Sequence, residues 1–275
     1  MSAALVAFIF AVAAGGFGSL VGIGGGLIIV PVLTIALGVD VKVAIAASLI
    51  GVIGTSLSAS PRYIRSGVAD RRLGLFLLVA AALGGLTGGL TAGFLDGRML
   101  SLGFGLLLAG VGLQMTREVI NPRKPVPVDE ADMASGFASS YVEPATGETI
   151  AYRARRLGPG ASVSFISGSI SGLLGVGGGV INVPTMNVLM HVHIRVSTTT
   201  STYMLAATAA ASSVVYLASG QLDPLWAGPV ALGVIVGAKI GSRLAMRVSQ
   251  NMLRLAFIAV SVVFAIGMFG QFLSQ

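Results

Sequence analysis

Gly22-Ile23-Gly24-Gly25-Gly26-Leu27-Ile28-Ile29-Val30-Pro31 lies inside a long apolar run near the start of the chain. Gly175-Val176-Gly177-Gly178-Gly179-Val180-Ile181-Asn182-Val183-Pro184 repeats its pattern of glycine, apolar residue and proline 153 positions later, with Asn182 in the place of Ile29. Four glycines and a proline break a helix wherever they occur together. The chain therefore contains the same structural break twice.

The composition is that of an integral membrane protein. Hydrophobic residues make up 55% of the chain, charged residues only 10%, and the mean hydropathy is +0.92, whereas soluble domains carry about a quarter charged residues. The apolar runs are about 20 residues long and do not alternate with polar residues, which favours membrane-spanning helices. The chain has no cysteine, which excludes disulfides. The net charge of +7 comes from basic residues at helix ends, so we expect a lipid bilayer and no nucleic acid as partner.

The segments fall into two transmembrane repeats and a linker. Residues 1–117 form the first repeat, in which apolar segments 3–21 and 27–37 meet at the glycines as a re-entrant hairpin. Residues 118–156 form a polar cytoplasmic linker, with a small β-hairpin predicted within 141–152. Residues 157–275 form the second repeat, which begins with the hairpin 160–190. The predicted spans are 41–62, 73–95 and 99–116, then 195–217, 225–247 and 252–272.

The offset of 153 holds without a gap for about fifty residues around the glycine motifs. It pairs Ser48 with Ser201, Thr55 with Thr208, Ser60 with Ser213, Tyr63 with Tyr216, Gly67 with Gly220, and Asp70 with Asp223. A register kept over that length predicts two copies of one fold.

The basic residues predict how the copies are oriented. With the loop 65–72 in the cytoplasm, the cytoplasmic side collects nearly all arginines and lysines, and the outer side holds only Lys42 and Arg98. This count requires the second repeat to be inverted and both termini to lie outside. The predicted fold class is an all-α polytopic membrane protein with two inverted-topology repeats, each a glycine-broken re-entrant hairpin plus three transmembrane helices, about ten hydrophobic segments in all. Inverted repeats with broken helices are typical of secondary transporters.

The paired G-x-G-G-G-x-x-x-x-P motif, once in each half of such a chain, resembles the TauE/SafE family of sulfite and organosulfonate exporters. The resemblance covers residues 3–117 and 157–273 and leaves the linker out. It implies a transporter of the bacterial cytoplasmic (inner) membrane that exports sulfite or organosulfonates such as sulfoacetate.

The residues themselves also point to an anion. Each glycine break exposes backbone N–H groups at the start of a half-helix, where the helix dipole places about half a positive charge. We predict that a small anion is held between two such ends, with no cofactor and no metal. The predicted substrate-binding residues are Gly22, Gly24, Gly25, Gly26, Ser48, Thr55, Gly175, Gly177, Gly178, Gly179, Asn182, Ser201, Thr208 and Lys239, and the predicted hinges are Pro31 and Pro184. The alternative is that the glycines only permit tight turns and close packing.

The side-chain candidates have structural alternatives as well. Serine and threonine in a membrane often bond to a nearby backbone carbonyl. Lys239 forms a stripe with Arg243 and Arg247 that predicts an anion-attracting entrance, or it reaches the membrane surface by snorkelling. His191 and His193 lack the partners of a metal site and are expected at the membrane interface.

The predicted mechanism is alternating access. The predicted spans contain no aspartate or glutamate, which argues against a carboxylate proton relay or cation site. They also bring together no nucleophile, acid and base, so we expect no enzyme. An anion channel, or an importer of another small solute or a metal ion, remains the alternative. The sequence specifies no oligomeric state.

Overall fold

The computed structural model describes residues 3–120, 137–142, 148–244 and 250–274, which are almost entirely helical. Two short π-helical turns, π1 and π2, follow the shortest helices. The elements are α1 (Ala3–Val21), α2 (Gly26–Pro31), π1 (Val32–Ala36), α3 (Val41–Arg65), α4 (Arg71–Gly93), α5 (Gly97–Ile120), β1 (Ala138–Val142), β2 (Thr149–Arg153), α6 (Leu157–Leu174), α7 (Gly179–Pro184), π2 (Thr185–Leu189), α8 (Ile194–Ala218), α9 (Pro224–Leu244) and α10 (Gln250–Ser274). Each helical element of residues 3–120 has a counterpart in the second half of the chain. The first residues of the two are 153 positions apart, to within one residue.

Seven helices in the described part of the chain are long and apolar enough to cross a membrane. They are α1, α3, α4, residues 97–114 of α5, α6, α8 and α9. On α4, the large side chains of Val79, Leu83 and Leu90 are exposed, as suits a helix face in contact with lipid. These features confirm the prediction of an all-α polytopic membrane protein.

Polar side chains begin several helices. The Asp40 carboxylate accepts hydrogen bonds from the N–H groups of Lys42 and Val43 at the start of α3, and Asp70 accepts from Leu73 at the start of α4. Helix α3 does not end at residue 62, where the predicted span ends, but continues past Pro61 to Arg65. A missing proline N–H one turn before the end costs a single hydrogen bond, and the basic residues of the last turn favour the helix dipole.

The helices of one half pack closely on those of the other. Helix α1 lies along α9, where a Cβ on Gly233 would strike Phe8 and a Cβ on Gly241 would strike Gly16. Since both contacts advance in the same chain direction, the two helices run parallel. Small residues at this spacing allow backbones to approach each other closely.

The equivalent contact joins α4 and α6. A Cβ on Gly84 would strike Phe165, and one on Gly88 would strike Ser169. These contacts again advance together, so α4 and α6 also run parallel. The glycines of α4 therefore allow the first helix of the second half to approach closely.

The linker strands lie against one end of the bundle. Strands β1 and β2 pair antiparallel, with Tyr141 opposite Ile150; residues 143–147 between them are outside the described residues. The Tyr152 hydroxyl donates to Asp70 Oδ2 at 3.0 Å, and the Tyr141 hydroxyl lies 2.7 Å from Nδ1 of His193. The linker, the α3–α4 loop and the start of α8 are thus at the same end of the molecule, which we call the linker end.

Candidate functional site

The two glycine motifs lie directly against each other inside the bundle. A Cβ added to Gly26 would strike the carbonyl oxygen of Gly175, and one added to Gly179 would strike that of Gly22. Gly24 and Gly177 both face Val52 and Leu205, which are equivalent residues of α3 and α8. The contacts between the two motifs are therefore reciprocal.

The glycines of each motif have two different roles. Gly22, Gly24 and Gly25 have φ angles of +83°, +78° and +83°, in the left-handed region that other residues rarely adopt. Their counterparts Gly175, Gly177 and Gly178 have +74°, +84° and +79°. Gly26 and Gly179 are the first residues of α2 and α7, and lack a side chain because the opposite motif is in contact with them. The motif thus encodes a sharp turn followed by a close approach.

One buried serine fastens each motif to the other half. The Ser48 hydroxyl donates to the carbonyl oxygen of Gly175 at 2.8 Å, and the Ser201 hydroxyl donates to that of Gly22 at 3.0 Å. A serine hydroxyl has one hydrogen, and here that hydrogen is bonded to the protein. Ser48 and Ser201 therefore position the loops, and they have no second hydrogen to donate to an anion.

Backbone N–H groups are the free donors at the motifs. Within the described residues, no acceptor is bonded to the N–H groups of Gly26 and Leu27 in the first motif, or of Gly179 and Val180 in the second. Each pair lies at the start of an apolar helical segment, which for the first motif continues through π1 to Ala36. Unbonded N–H groups at a helix start carry the positive end of the dipole and suit an anion.

The second motif has the more polar surroundings. Asn182 is 1% exposed, and its Oδ1 has no hydrogen-bond partner among the described residues. Ser167 donates to the carbonyl oxygen of Gly178 at 2.6 Å, and the buried Ser171 hydroxyl beside Gly178 has no partner in the same set of residues. The counterparts in the first half are Ile29, Ala14 and Gly18.

Sequence reasoning identified Asn182 but missed Ser167 and Ser171. Their signal is present in the repeat, because α6 carries serine where α1 carries alanine or glycine on the face that contacts the motif. A comparison of the two copies for differences, as well as for identities, would have found them.

Three predicted site residues are not brought to the motifs. The Thr55 hydroxyl donates to the carbonyl oxygen of Gly51 at 3.1 Å, and the Thr208 hydroxyl to that of Met204 at 3.3 Å, each within its own helix. Lys239 is exposed on α9, beside the exposed apolar residues Val236 and Ile240. Arg247, the last member of its predicted stripe, is outside the described residues.

Pro31 and Pro184 end the two half-helices at the same point. Each is the last residue of its short α-helix and is followed at once by a π-helical turn. Since proline lacks the N–H that would bond one turn back, the hydrogen-bond ladder is reset there. The hinge role of both residues stays a prediction.

His193 has structural partners. The His193 side chain accepts from the N–H of Arg195 at the start of α8 and contacts Tyr141. Among the described residues, no group of three or more histidines and carboxylates is arranged to hold a metal ion.

Comparison with known proteins agrees with this architecture. Residues 7–268 match the family model described as "Sulfite exporter TauE/SafE". The chain is 28% identical over 246 residues to "Probable membrane transporter protein YunE" of Bacillus subtilis (strain 168), covering 87% of this chain and 86% of the relative. It is 25% identical over 224 residues to "Probable membrane transporter protein YdhB" of the same organism, covering 81% and 82%. No solved structure matches the chain. The protein is therefore a multi-pass membrane transporter that belongs to the TauE/SafE sulfite exporter family.

Proposed function

We propose that this transporter exports small sulfur-containing anions, sulfite or organosulfonates such as sulfoacetate, across the bacterial cytoplasmic membrane by alternating access. The observation that carries the proposal is the reciprocal meeting of the two glycine motifs, each with unbonded N–H groups at a half-helix start. The family description, which names sulfite, supports the cargo.

We further propose that the two halves are inverted repeats, with both termini outside and the linker end in the cytoplasm. The parallel pairs α1 with α9 and α4 with α6 support this arrangement, because α1 and α4 run in opposite directions. Lys42 Nζ at the start of α3 lies 3.5 Å from the carbonyl oxygen of Gly93 at the end of α4, so these two helices are antiparallel. Tyr63 near the end of α3 donates to the carbonyl oxygen of Ser19 near the end of α1, so α3 follows the direction of α1.

The anion would be held by dipoles and not by fixed charge. N–H donors from both motifs neutralise an oxyanion without leaving a buried cation when the anion departs. Gly26 and Gly179 now touch the opposite motif, so the motifs must separate to admit an anion. The bends at Pro31 and Pro184 are the predicted places for that movement, and Asn182 adds an amide to the second motif.

Thermal unfolding of the detergent-purified protein with a panel of ligands tests the cargo. A ligand that binds only the folded protein raises its unfolding temperature. Sulfite or sulfoacetate is expected to do so, whereas sulfate, phosphate, chloride, taurine and nickel are not. Stabilisation by nickel or taurine alone would contradict the anion site.

In liposomes, sulfite flux that saturates supports a carrier, and flux that rises linearly with concentration would indicate a channel instead.

The entrance role of Lys239 has its own test. Leu86 is its counterpart in the first half, so Lys239→Leu introduces the residue that the fold already accepts there. A several-fold rise in KM for sulfite would support the entrance, since a positive side chain concentrates anions near it. Unchanged KM and flux would leave Lys239 as a lysine that reaches the membrane surface from a lipid-facing helix.

A further inference from the structure

Helix α10 fills the space beside the first half-helix. Thr34 of π1 and Met268 of α10 are both buried, with Oγ1 of Thr34 3.7 Å from Sδ of Met268. Gly267 lies against Ile35, because a Cβ on Gly267 would come within 2.6 Å of Ile35 Cδ1. This contact closes the bundle at the end opposite the linker.

The corresponding space beside the second half-helix is open. A cavity of about 820 Å³ separates α5 from α7 and π2. Its walls include Gln114, Arg117, Val163, Ile181, Thr185 and Val188. At the offset of 153, Gln114 corresponds to Gly267 and Val188 to Ile35. Gly267 and Ile35 are therefore in contact at the end opposite the linker, whereas the equivalent residues Gln114 and Val188 line a cavity at the linker end.

We propose that this cavity is the access route for the anion from the linker end, and that α5 closes it in the same way as α10 closes its counterpart. The proposal rests on the transport function proposed above. Two copies of one fold offer two equivalent positions for a closing helix, and the structure has one of them filled and one open. Val188 is smaller than Ile35, which leaves space for the larger Gln114 side chain when α5 moves in. During a transport cycle α5 moves in to fill the open position and α10 moves out of the filled one.

The chemistry of the walls suits a small hydrated anion. The Arg117 side chain is exposed at the cavity and brings a positive charge to it. Gln114 adds an amide, whereas the Thr185 hydroxyl donates its only hydrogen to the carbonyl oxygen of Ile181 and has none for an anion. A positive group in a cleft with apolar walls raises the local concentration of anions. Ile181 lies two residues beyond Gly179, so the cavity leads along α7 towards the glycine motifs.

Engineered disulfides test the movement, since the chain has no cysteine of its own. One pair is Ile35→Cys with Gly267→Cys, and the other is Gln114→Cys with Val188→Cys. In proteoliposomes, oxidation of either pair with copper phenanthroline is expected to form a disulfide and to lower sulfite flux at least tenfold. Dithiothreitol should restore the flux, and the four single-cysteine variants should be unaffected by oxidation.

The outcomes separate the gate from the cargo. Disulfide formation needs no substrate, so failure of the Gln114–Val188 pair to form one would overturn the gate. Unchanged sulfite flux with either disulfide in place would overturn it as well. If both disulfides form but the unmodified protein moves no sulfite, the proposed cargo fails and the gate stands. Arg117→Gln is expected to raise KM for sulfite several-fold without lowering kcat, whereas Arg72→Gln, which does not line the cavity, should change neither.

Discussion

At the scale of single residues, the glycine at the start of each half-helix is the most constrained position of the site. Gly26 and Gly179 meet a carbonyl oxygen of the opposite motif where any other residue would have its Cβ. Backbone atoms on both sides leave little freedom to adjust. An added methyl group must therefore push the two halves apart.

We expect Gly26→Ala to destabilise the protein by about 1–3 kcal/mol, the usual cost of overpacking, and to abolish transport. Gly228→Ala is the matched control, because Gly228 lies in a helix with open space around its Cβ position. That change should be neutral or slightly stabilising. Thermal unfolding and sulfite flux measure both effects. A fully active Gly26→Ala protein would mean that the motifs are not in contact during transport.

Asn182 allows a test in which stability and binding change in opposite directions. Its buried Oδ1 has no partner in the described residues, and such a group costs about 1–3 kcal/mol. Asn182→Ile restores the residue of the first half, and is expected to raise the unfolding temperature while reducing stabilisation by sulfite. If the amide serves only the fold, the same change will lower the unfolding temperature and leave the response to sulfite intact.

At the scale of elements, the linker hairpin connects the two halves at one end. Tyr152 reaches Asp70 at the start of α4, and Tyr141 reaches His193 at the start of α8. Both tyrosines are 4% exposed and pack in a cluster with Met186, Met190 and Val68. The hairpin therefore joins the α3–α4 loop of one repeat to the π2–α8 junction of the other.

Tyr152→Phe is expected to loosen the hairpin by about 1.5 kcal/mol, the low end of the range for a hydrogen bond to a charged group. Since that corresponds to roughly a tenfold increase in the open population, trypsin should cleave the linker about tenfold faster. Tyr203→Phe is the control, because the Tyr203 hydroxyl has no partner within the described residues. Equal cleavage rates in the two variants would show that the contact with Asp70 does not hold the hairpin.

The same contact predicts a pH dependence. Burial of the phenol and the nearby Asp70 carboxylate raise the pKa of Tyr152 above its usual value, which is about 10. A group that binds its proton more tightly in the folded state stabilises that state fully below its unfolded pKa, and less as the pH rises further. Hydrogen exchange of the β2 amides, corrected for intrinsic rates, should therefore show protection that falls above about pH 10 in the wild type. Tyr152→Phe should show a smaller fall.

At the scale of the whole molecule, the transported charge determines the driving force. If export is uncoupled, a potential of 100 mV, negative inside, favours exit of a monovalent anion by about 2.3 kcal/mol. Since 1.4 kcal/mol is a factor of ten, that potential should sustain a gradient of roughly 50-fold. A potassium diffusion potential imposed on proteoliposomes should drive sulfite movement in the direction of its sign. Flux that ignores the potential would indicate electroneutral coupling to another ion.

Sequence patterns alone predicted the class of protein, the two copies of one fold and the residues of the glycine motifs. These follow from local patterns, because apolar length dictates membrane-spanning helices and glycine alone tolerates the backbone of the turns. The sequence keeps the offset of 153 for about fifty residues, and in the structure the helical elements of residues 3–120 recur at that offset to within one residue. Cap residues such as Asp70 also act through neighbours that are close in the chain.

Which equivalent residues meet depends on how the helices pack. A helical pattern gives the spacing of Ser48 and Thr55, but only the packing of all helices shows that Ser48 reaches the opposite motif while Thr55 bonds to its own helix. Packing likewise turned Lys239 outward and left the space beside α7 open while that beside α2 is filled. Two halves with the same local sequence signals can differ in this way, because contacts between distant segments depend on the whole assembly and no local pattern encodes them.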